Sequence, residues 1–227
     1  MTTAILYVVS TPIGNLEDLS PRAIETLKKV DLIAAEDTRH SGRLMQHFAI
    51  STPMLAVHDH NERQRAHMLV QKLAEGQSIA LISDAGTPLI SDPGYHLVSA
   101  VRDAGYQVVP VVGPCALIAG LSVSGLATDR FSFYGFLPAK SSGRKQQLQQ
   151  LDSVAHTQVF YESPHRIVAT VDDIVSVMGP HRHLVLAREL TKTFETVYGA
   201  PASEVQAWLA ADHNQQKGEF VVLIEGA

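Results

Sequence analysis

Four loops in the first half of the chain have residue types suited to gripping a small ligand through the main chain while bringing carboxylates beside it. They are Ser10-Thr11-Pro12-Ile13-Gly14-Asn15, Glu36-Asp37-Thr38-Arg39, the long Ser83-Asp84-Ala85-Gly86-Thr87-Pro88-Leu89-Ile90-Ser91-Asp92-Pro93-Gly94, and Val112-Gly113-Pro114-Cys115-Ala116. Gly and Pro fix tight backbone paths, and small side chains let a ligand reach N–H and C=O groups closely. Any one of these loops reads equally well as a plain turn. Four at corresponding strand ends, with two Asp in one of them, argue for a ligand site. The second half adds Phe160-Tyr161-Glu162-Ser163-Pro164-His165-Arg166 and Ala187-Arg188-Glu189-Leu190-Thr191-Lys192. Their charges read in two ways: as ion pairs, Arg188 with Glu189 for example, or as Arg and Lys holding phosphates while Tyr or Glu transfers a proton.

Other chemistries lack support. Histidine is abundant, with eleven residues, but His58 and His60 have no second ligand cluster to join, so no metal is expected. A single cysteine, Cys115, excludes an intrachain disulfide and a Cys-rich zinc site and suits a reducing cytoplasm. No G-x-G-x-x-G follows the first apolar run and no G-x-x-x-x-G-K-[ST] occurs, so a dinucleotide fold and a P-loop are unsupported.

The elements that must position these loops are legible as β-branched runs at 5–9, 32–35, 79–83, 108–112, 159–161, 184–187 and 220–224. Between them, apolar residues recur at helical spacing, as in Ala23, Leu27 and Val30 or Leu97, Val98 and Val101. Helix starts are marked by Ser20-Pro21, Asp92-Pro93 and Ser163-Pro164. Alternating strand and helix predicts open, largely parallel α/β sheets, whose ligands sit beyond the carboxyl ends of the strands. After Gly125 the pattern changes to a run at 131–137, a polar loop at 140–145, and closely spaced strands at 184–188 and 193–198 that suit antiparallel pairing. Two α/β domains are therefore expected, 1–126 with a mostly parallel sheet and 127–227 with a mixed one.

Composition bounds the rest. The 227 residues are 45% hydrophobic, and 18 Lys+Arg against 23 Asp+Glu leave a net charge of −5. Apolar residues spread along the whole chain exclude a long disordered tail, and no apolar run nears the roughly 20 residues that span a bilayer, so no membrane partner is expected. The N-terminus has no basic residue before its apolar stretch and reads as a strand, not a signal peptide. Taken alone, the acidic balance argues against a dedicated nucleic-acid binder.

At the loops quoted above the chain resembles the tetrapyrrole-methylase-like superfamily of S-adenosylmethionine-dependent methyltransferases, and within it the bacterial small-subunit ribosomal RNA methyltransferase I family. Thr11-Pro12-Ile13-Gly14-Asn15-Leu16, Ala35-Glu36-Asp37-Thr38-Arg39, the segment 83–94, Val112-Gly113-Pro114-Cys115-Ala116, the segment 160–166 and Arg188 through Lys192 with Phe194-Glu195 carry the likeness. The resemblance implies two α/β domains of the tetrapyrrole methylase type with the methyl donor in the cleft between them, a homodimer, and a cytoplasmic enzyme. It also implies methylation of a cytidine ribose 2′-hydroxyl in the 16S RNA of the small ribosomal subunit. By position, Pro12, Ser83, Asp84, Ala85, Gly86, Thr87 and Ile90 fall at the donor loops, with Asp84 standing in for an Asp that relatives often carry at Thr87. Cys115 and Ala116 fall at the adenosine, and Tyr161 and Leu190 where the second domain closes. The family's further C-terminal helical segment is absent after 219–225.

Methyl transfer to a hydroxyl needs alignment and removal of a proton. The resulting candidates are Glu36, Asp37, Tyr161, Glu162 and Glu189 for the proton and Arg39, Arg188 and Lys192 for phosphates. With Arg166, the cations would build a basic surface despite the overall charge. Two readings compete: a methyltransferase of the same superfamily acting on a tetrapyrrole or other small molecule, and a non-catalytic RNA-binding module.

Overall fold

The computed structural model describes residues 4–227; residues 1–3, at the head of the stretch read as a strand and not a signal peptide, lie outside it. The chain forms two compact units, 1–115 and 116–227. The expected boundary at 126 lies one helix later than this division.

In the first unit the strands are β1 (Ile5–Val9), β2 (Leu32–Ala35), β3 (Met54–Ala56), β4 (Ile79–Ile82) and β5 (Gln107–Val111), ordered β3-β2-β4-β1-β5. All neighbours run parallel. The apolar runs are continuous because both faces are covered. Ile33, Ala35, Ala80 and Ile82 face one core, with Ala23 and Leu27 of α1 (Pro21–Lys29) and Met45 of α2 (Thr38–His47). Ala34, Ile79 and Leu81 face the other, with Leu69 and Leu73 of α3 (Glu62–Ala74) and Leu97 and Val101 of α4 (Tyr95–Asp103). Ser20 caps α1 by accepting from Ala23 N at 3.1 Å, ahead of Pro21.

The second unit comprises α5 (Ala116–Val123), β6 (Phe131–Phe136), α6 (Ser141–Leu151), β7 (Thr157–Glu162), α7 (Ile167–Met178), β8 (His183–Arg188), β9 (Thr196–Pro201), α8 (Ala202–Ala211) and β10 (Phe220–Ile224). Its sheet, ordered β6-β7-β10-β8-β9, is mixed: β6 and β7 are parallel and the other pairs antiparallel. Phe160, Leu184, Leu186, Phe220, Val222 and Ile224 share one core with the buried residues of α6, α7 and α8. On the opposite face α5 approaches closely, since a Cβ at Gly120 would stand 3.0 Å from Val221. That packing places α5 in the second unit, although sequence alone suggests it continues the first.

Two expectations need correction. The stretch 140–145, read as a polar loop, begins α6, because its inward residue at the first turn is Arg144, which is 3% exposed and paired with Asp173 of α7. The last hairpin strand starts at Thr196 and not at 193, since Arg188 fixes the Phe194 carbonyl at 3.1 Å in the preceding turn.

Candidate functional site

The parallel sheet turns four strand ends to one edge, and the loops there are tied together. Thr11, just past β1, forms an antiparallel bridge with Gly86, with N–H···O distances of 2.8 and 3.1 Å. Gly86 adopts φ +83, a conformation that other residues rarely take, and a Cβ there would stand 3.3 Å from the Ile13 side chain. Thr87 Oγ1 lies 2.9 Å from Ser10 Oγ and donates to Pro114 O at 2.9 Å, joining the loops after β1, β4 and β5. Leu89 and Ser91 have φ +74 and +66, so the segment is held in conformations that side chains disfavour. The backbone at Gly86 is therefore fixed, both of its polar groups being taken by Thr11, and Ala85 stands exposed beside it.

Carboxylates gather at the same edge. Asp84 N donates to Glu36 Oε2 at 3.2 Å, and Asp37 N donates to Asp84 Oδ1 at 3.2 Å, knitting the ends of β2 and β4. Asp37 caps α2 by accepting from the amides of Arg39 and His40, and those bonds hold its carboxyl below the usual range. Glu36 is shifted the opposite way: partial burial raises its proton affinity, and the nearby Asp84 and Asp59 charges add to it. Asp92 is pushed up to about 6, mainly by partial burial and then by Glu36, Asp84 and Asp59, against a bond from Ser83. The Arg39 side chain is 92% exposed while leaning on Asp37 at 3.3 Å. A groove of about 260 Å³ lined by Tyr7, Arg22, Thr26, Lys29 and Ser78 includes none of the candidate residues.

In the second unit the candidates divide. Glu162 is 2% exposed and accepts from Ser163 N at 2.8 Å and Thr170 Oγ1 at 2.7 Å, with Arg166 Nε 3.3 Å away. These contacts tie it to the entry of α7. Arg188 is 7% exposed and spends its guanidinium on Lys217 O, Phe194 O and Thr196 Oγ1 at 3.0–3.3 Å. Arg166 is likewise turned onto the carbonyls of Leu137 and Pro138. Both guanidiniums brace loops. Tyr161 Oη accepts from Leu117 N at 3.0 Å, at the first turn of α5, and its ring packs edge-on against Phe133.

Glu189 and Lys192 form the remaining cluster. Lys192 Nζ lies 2.8 Å from both Glu189 Oε1 and Glu219 Oε2, and Glu219 N also donates to Glu189 Oε1 at 3.0 Å. Partial burial opposes charge on both partners, yet these contacts win, lowering the Glu189 carboxyl and raising the Lys192 ammonium. Glu189 and Thr191 have φ +52 and +66, and Leu190 between them is 9% exposed. Gly218, at φ +92, lies under the clamp: a Cβ there would stand 2.3 Å from Glu189 Cγ. Gly218→Ala is expected to cost about 2 kcal/mol, part from the left-handed backbone and part from displacing Glu189. A shift of the denaturant midpoint without a change in slope would check it.

Residues 5–206 match the family described as Tetrapyrrole (Corrin/Porphyrin) Methylases. A curated relative, ribosomal RNA small subunit methyltransferase I of Escherichia coli O157:H7, is 58% identical over 97% of this chain and 77% of its own length. The proteins of that name from Vibrio cholerae serotype O1 and Pseudomonas aeruginosa are 60% and 55% identical, over 98% and 100% of this chain and 77% and 80% of their own. The chain belongs to the ribosomal RNA small subunit methyltransferase I family. Solved structures agree on the fold. A uroporphyrin-III-C-methyltransferase from Thermus thermophilus is 18% identical with TM-score 0.64, covering 98% of this chain and 94% of that one. Diphthine synthase is 13% identical with TM-score 0.71, covering 98% and 90%.

For this member of the methyltransferase I family, sequence reasoning missed three supporting residues. Asp92 lay inside a quoted segment, but its charge environment depends on Glu36 and Asp59, which arrive from other strands. Glu219 and Gly218 stand some thirty positions from Glu189, and no local signal links them. Because Asp92 is protonated more readily folded than unfolded, its contribution to stability is full below about pH 4 and is lost as pH rises through about 6. Asp92→Asn is therefore expected to stabilise the protein at pH 7 by about 1 kcal/mol, after allowance for solvent screening, and to have no effect at pH 4. Thermal midpoints at the two pH values test the sign.

Proposed function

We propose that this chain transfers the methyl group of S-adenosylmethionine to the ribose 2′-hydroxyl of a cytidine in 16S ribosomal RNA. The observation that carries the reading is its 55–60% identity, over nearly its whole length, to relatives named ribosomal RNA small subunit methyltransferase I. The tetrapyrrole alternative has the broader family match over residues 5–206 and solved structures of 18% identity or less, which share the fold alone, against the much closer likeness to those relatives.

In this reading the donor lies on the strand-end loops of the first unit, against exposed Ala85 and beside Pro12, Gly86, Thr87, Ile90 and Cys115. A sulfonium needs no anchoring metal, and small residues suit its close approach. As the hydroxyl oxygen attacks the methyl carbon, the C–O bond forms and the C–S bond breaks, leaving a neutral thioether, and the hydroxyl proton must go to a base. Glu36 is that base: its affinity for a proton is raised, whereas the affinities of Asp37 and Glu189 are lowered. Arg39, with its exposed side chain, meets a phosphate. The active form is a homodimer working on small subunits in the cytoplasm.

The test is transfer from methyl-labelled donor to small subunits lacking the modification, followed by nuclease mapping. Label on a cytidine ribose of 16S RNA is expected. Donor binding with label transferred only to a tetrapyrrole would favour the alternative, and donor binding with no transfer to either would leave a binding module.

A further inference from the structure

Phe194 is 70% exposed, the most exposed Phe side chain among the large hydrophobics, yet the chain beneath it is held firmly. Its carbonyl accepts from buried Arg188 at 3.1 Å and from Thr196 Oγ1 at 3.1 Å. Thr191 N donates to Glu195 Oε2 at 2.6 Å, and Glu195 N donates to Lys192 O at 3.1 Å, closing the turn across Phe194. Glu189 N is fixed on Glu219 O at 3.0 Å, and two residues of the turn hold positive φ. Leaving a Phe ring in water forgoes the free energy its burial would supply. A ring displayed on such a braced turn also loses little freedom when something packs on it, which makes it an efficient contact.

We propose that Phe194 is a stacking platform for an unpaired base of the RNA substrate, with Lys192 beside it meeting the backbone; this rests on the RNA-methylating reading above. Unpaired bases are recognised by aromatic faces, because every base offers a π surface whatever its sequence. Lys192 commits two donors, to Glu189 and Glu219, and its side chain is 27% exposed, so its third N–H can meet a phosphate. Along the turn, the neighbours Thr193 and Glu195 are exposed and polar. One aromatic ring among polar residues matches a single base; a protein interface would call for a contiguous apolar core.

The experiment measures co-sedimentation of the full chain with small subunits lacking the modification, for wild type, F194A, F194Y and F194L. Stacking is worth about 1–3 kcal/mol per base, so F194A is expected to weaken binding by roughly 5- to 150-fold. F194Y should stay within about twofold of wild type, while F194L, apolar but without a π face, should behave like F194A. Donor affinity by calorimetry and the thermal midpoint should not move in any variant. Wild-type-like binding by F194A or F194L overturns the proposal while leaving the methyltransferase reading intact. A change of oligomeric state in F194A, with binding restored at high protein concentration, also overturns it and assigns the ring to a contact with a second copy. Absence of binding by the wild-type chain would remove the RNA reading itself, and the platform with it.

Discussion

Glu36→Gln is expected to lower kcat for transfer to small subunits by about 10²–10⁴ while leaving donor affinity unchanged. Gln keeps an oxygen that can accept from Asp84 N, the 3.2 Å bond linking the ends of β2 and β4, so the loop geometry survives. Only the capacity to take a proton is lost. Wild-type kcat should fall as the pH drops, since Glu36, the proposed base, must be ionised to act, and the fall should begin above the usual glutamate range because burial and the Asp84 and Asp59 charges raise its affinity. In Glu36→Gln that dependence should disappear, leaving the residue of activity supplied by alignment alone. Single-turnover rates over a pH series measure both effects. Full activity in the variant would move the base elsewhere, with Tyr161 the next to test.

The second large effect is on stability. Asp173→Ala should destabilise the protein by about 3–5 kcal/mol, because it strands a buried guanidinium. Arg144 donates to Asp173 Oδ2 at 2.7 Å, Ser141 Oγ donates to Oδ1 at 3.0 Å, and both side chains of the pair are under 10% exposed. Arg144 also reaches the carbonyls of Pro138, Ala139 and Ala169, so without the carboxylate it retains hydrogen bonds but no counter-charge. Replacing Arg144 and Asp173 together by Met and Leu should recover much of the loss, since the cost lies in the uncompensated charge and not in the missing attraction. Calorimetry on the two variants separates these terms. An equally low midpoint in both would show that the hydrogen bonds to the carbonyls dominate.

The same pair shows where a sequence is legible and where it is not. Strands buried on both faces, such as Ile79–Ile82, announce themselves as continuous apolar runs, and Ser20-Pro21 marks a helix start from local chemistry alone. The helix Ser141–Leu151 hides because its core-facing Arg144 reads as a surface residue until Asp173 is placed beside it. β3, at Met54–Ala56, is too short to show a period. The strand-end loops stand out through their Gly, Pro and Asp content, and the Thr11–Gly86 bridge gives that composition a geometry. Roles were less so: Arg188, Arg166 and Glu162 look like site residues at strand ends, yet their hydrogen bonds run to neighbouring loops and to α7. Whether a charge faces a ligand or a carbonyl depends on loops distant in sequence.

The order β3-β2-β4-β1-β5 also sets a timetable for synthesis. Ile5–Val9 pairs on one side with Ile79–Ile82 and on the other with Gln107–Val111, so the strand made earliest needs partners made much later. At roughly 5–20 residues per second, the strand emerging from a translating ribosome waits on the order of 5–20 s for its second neighbour. Throughout that interval an apolar, β-prone segment has at least one unpaired edge, the condition that recruits chaperones or self-association. A member of a ribosomal RNA methyltransferase family is thus, at its own birth, dependent on how fast ribosomes run.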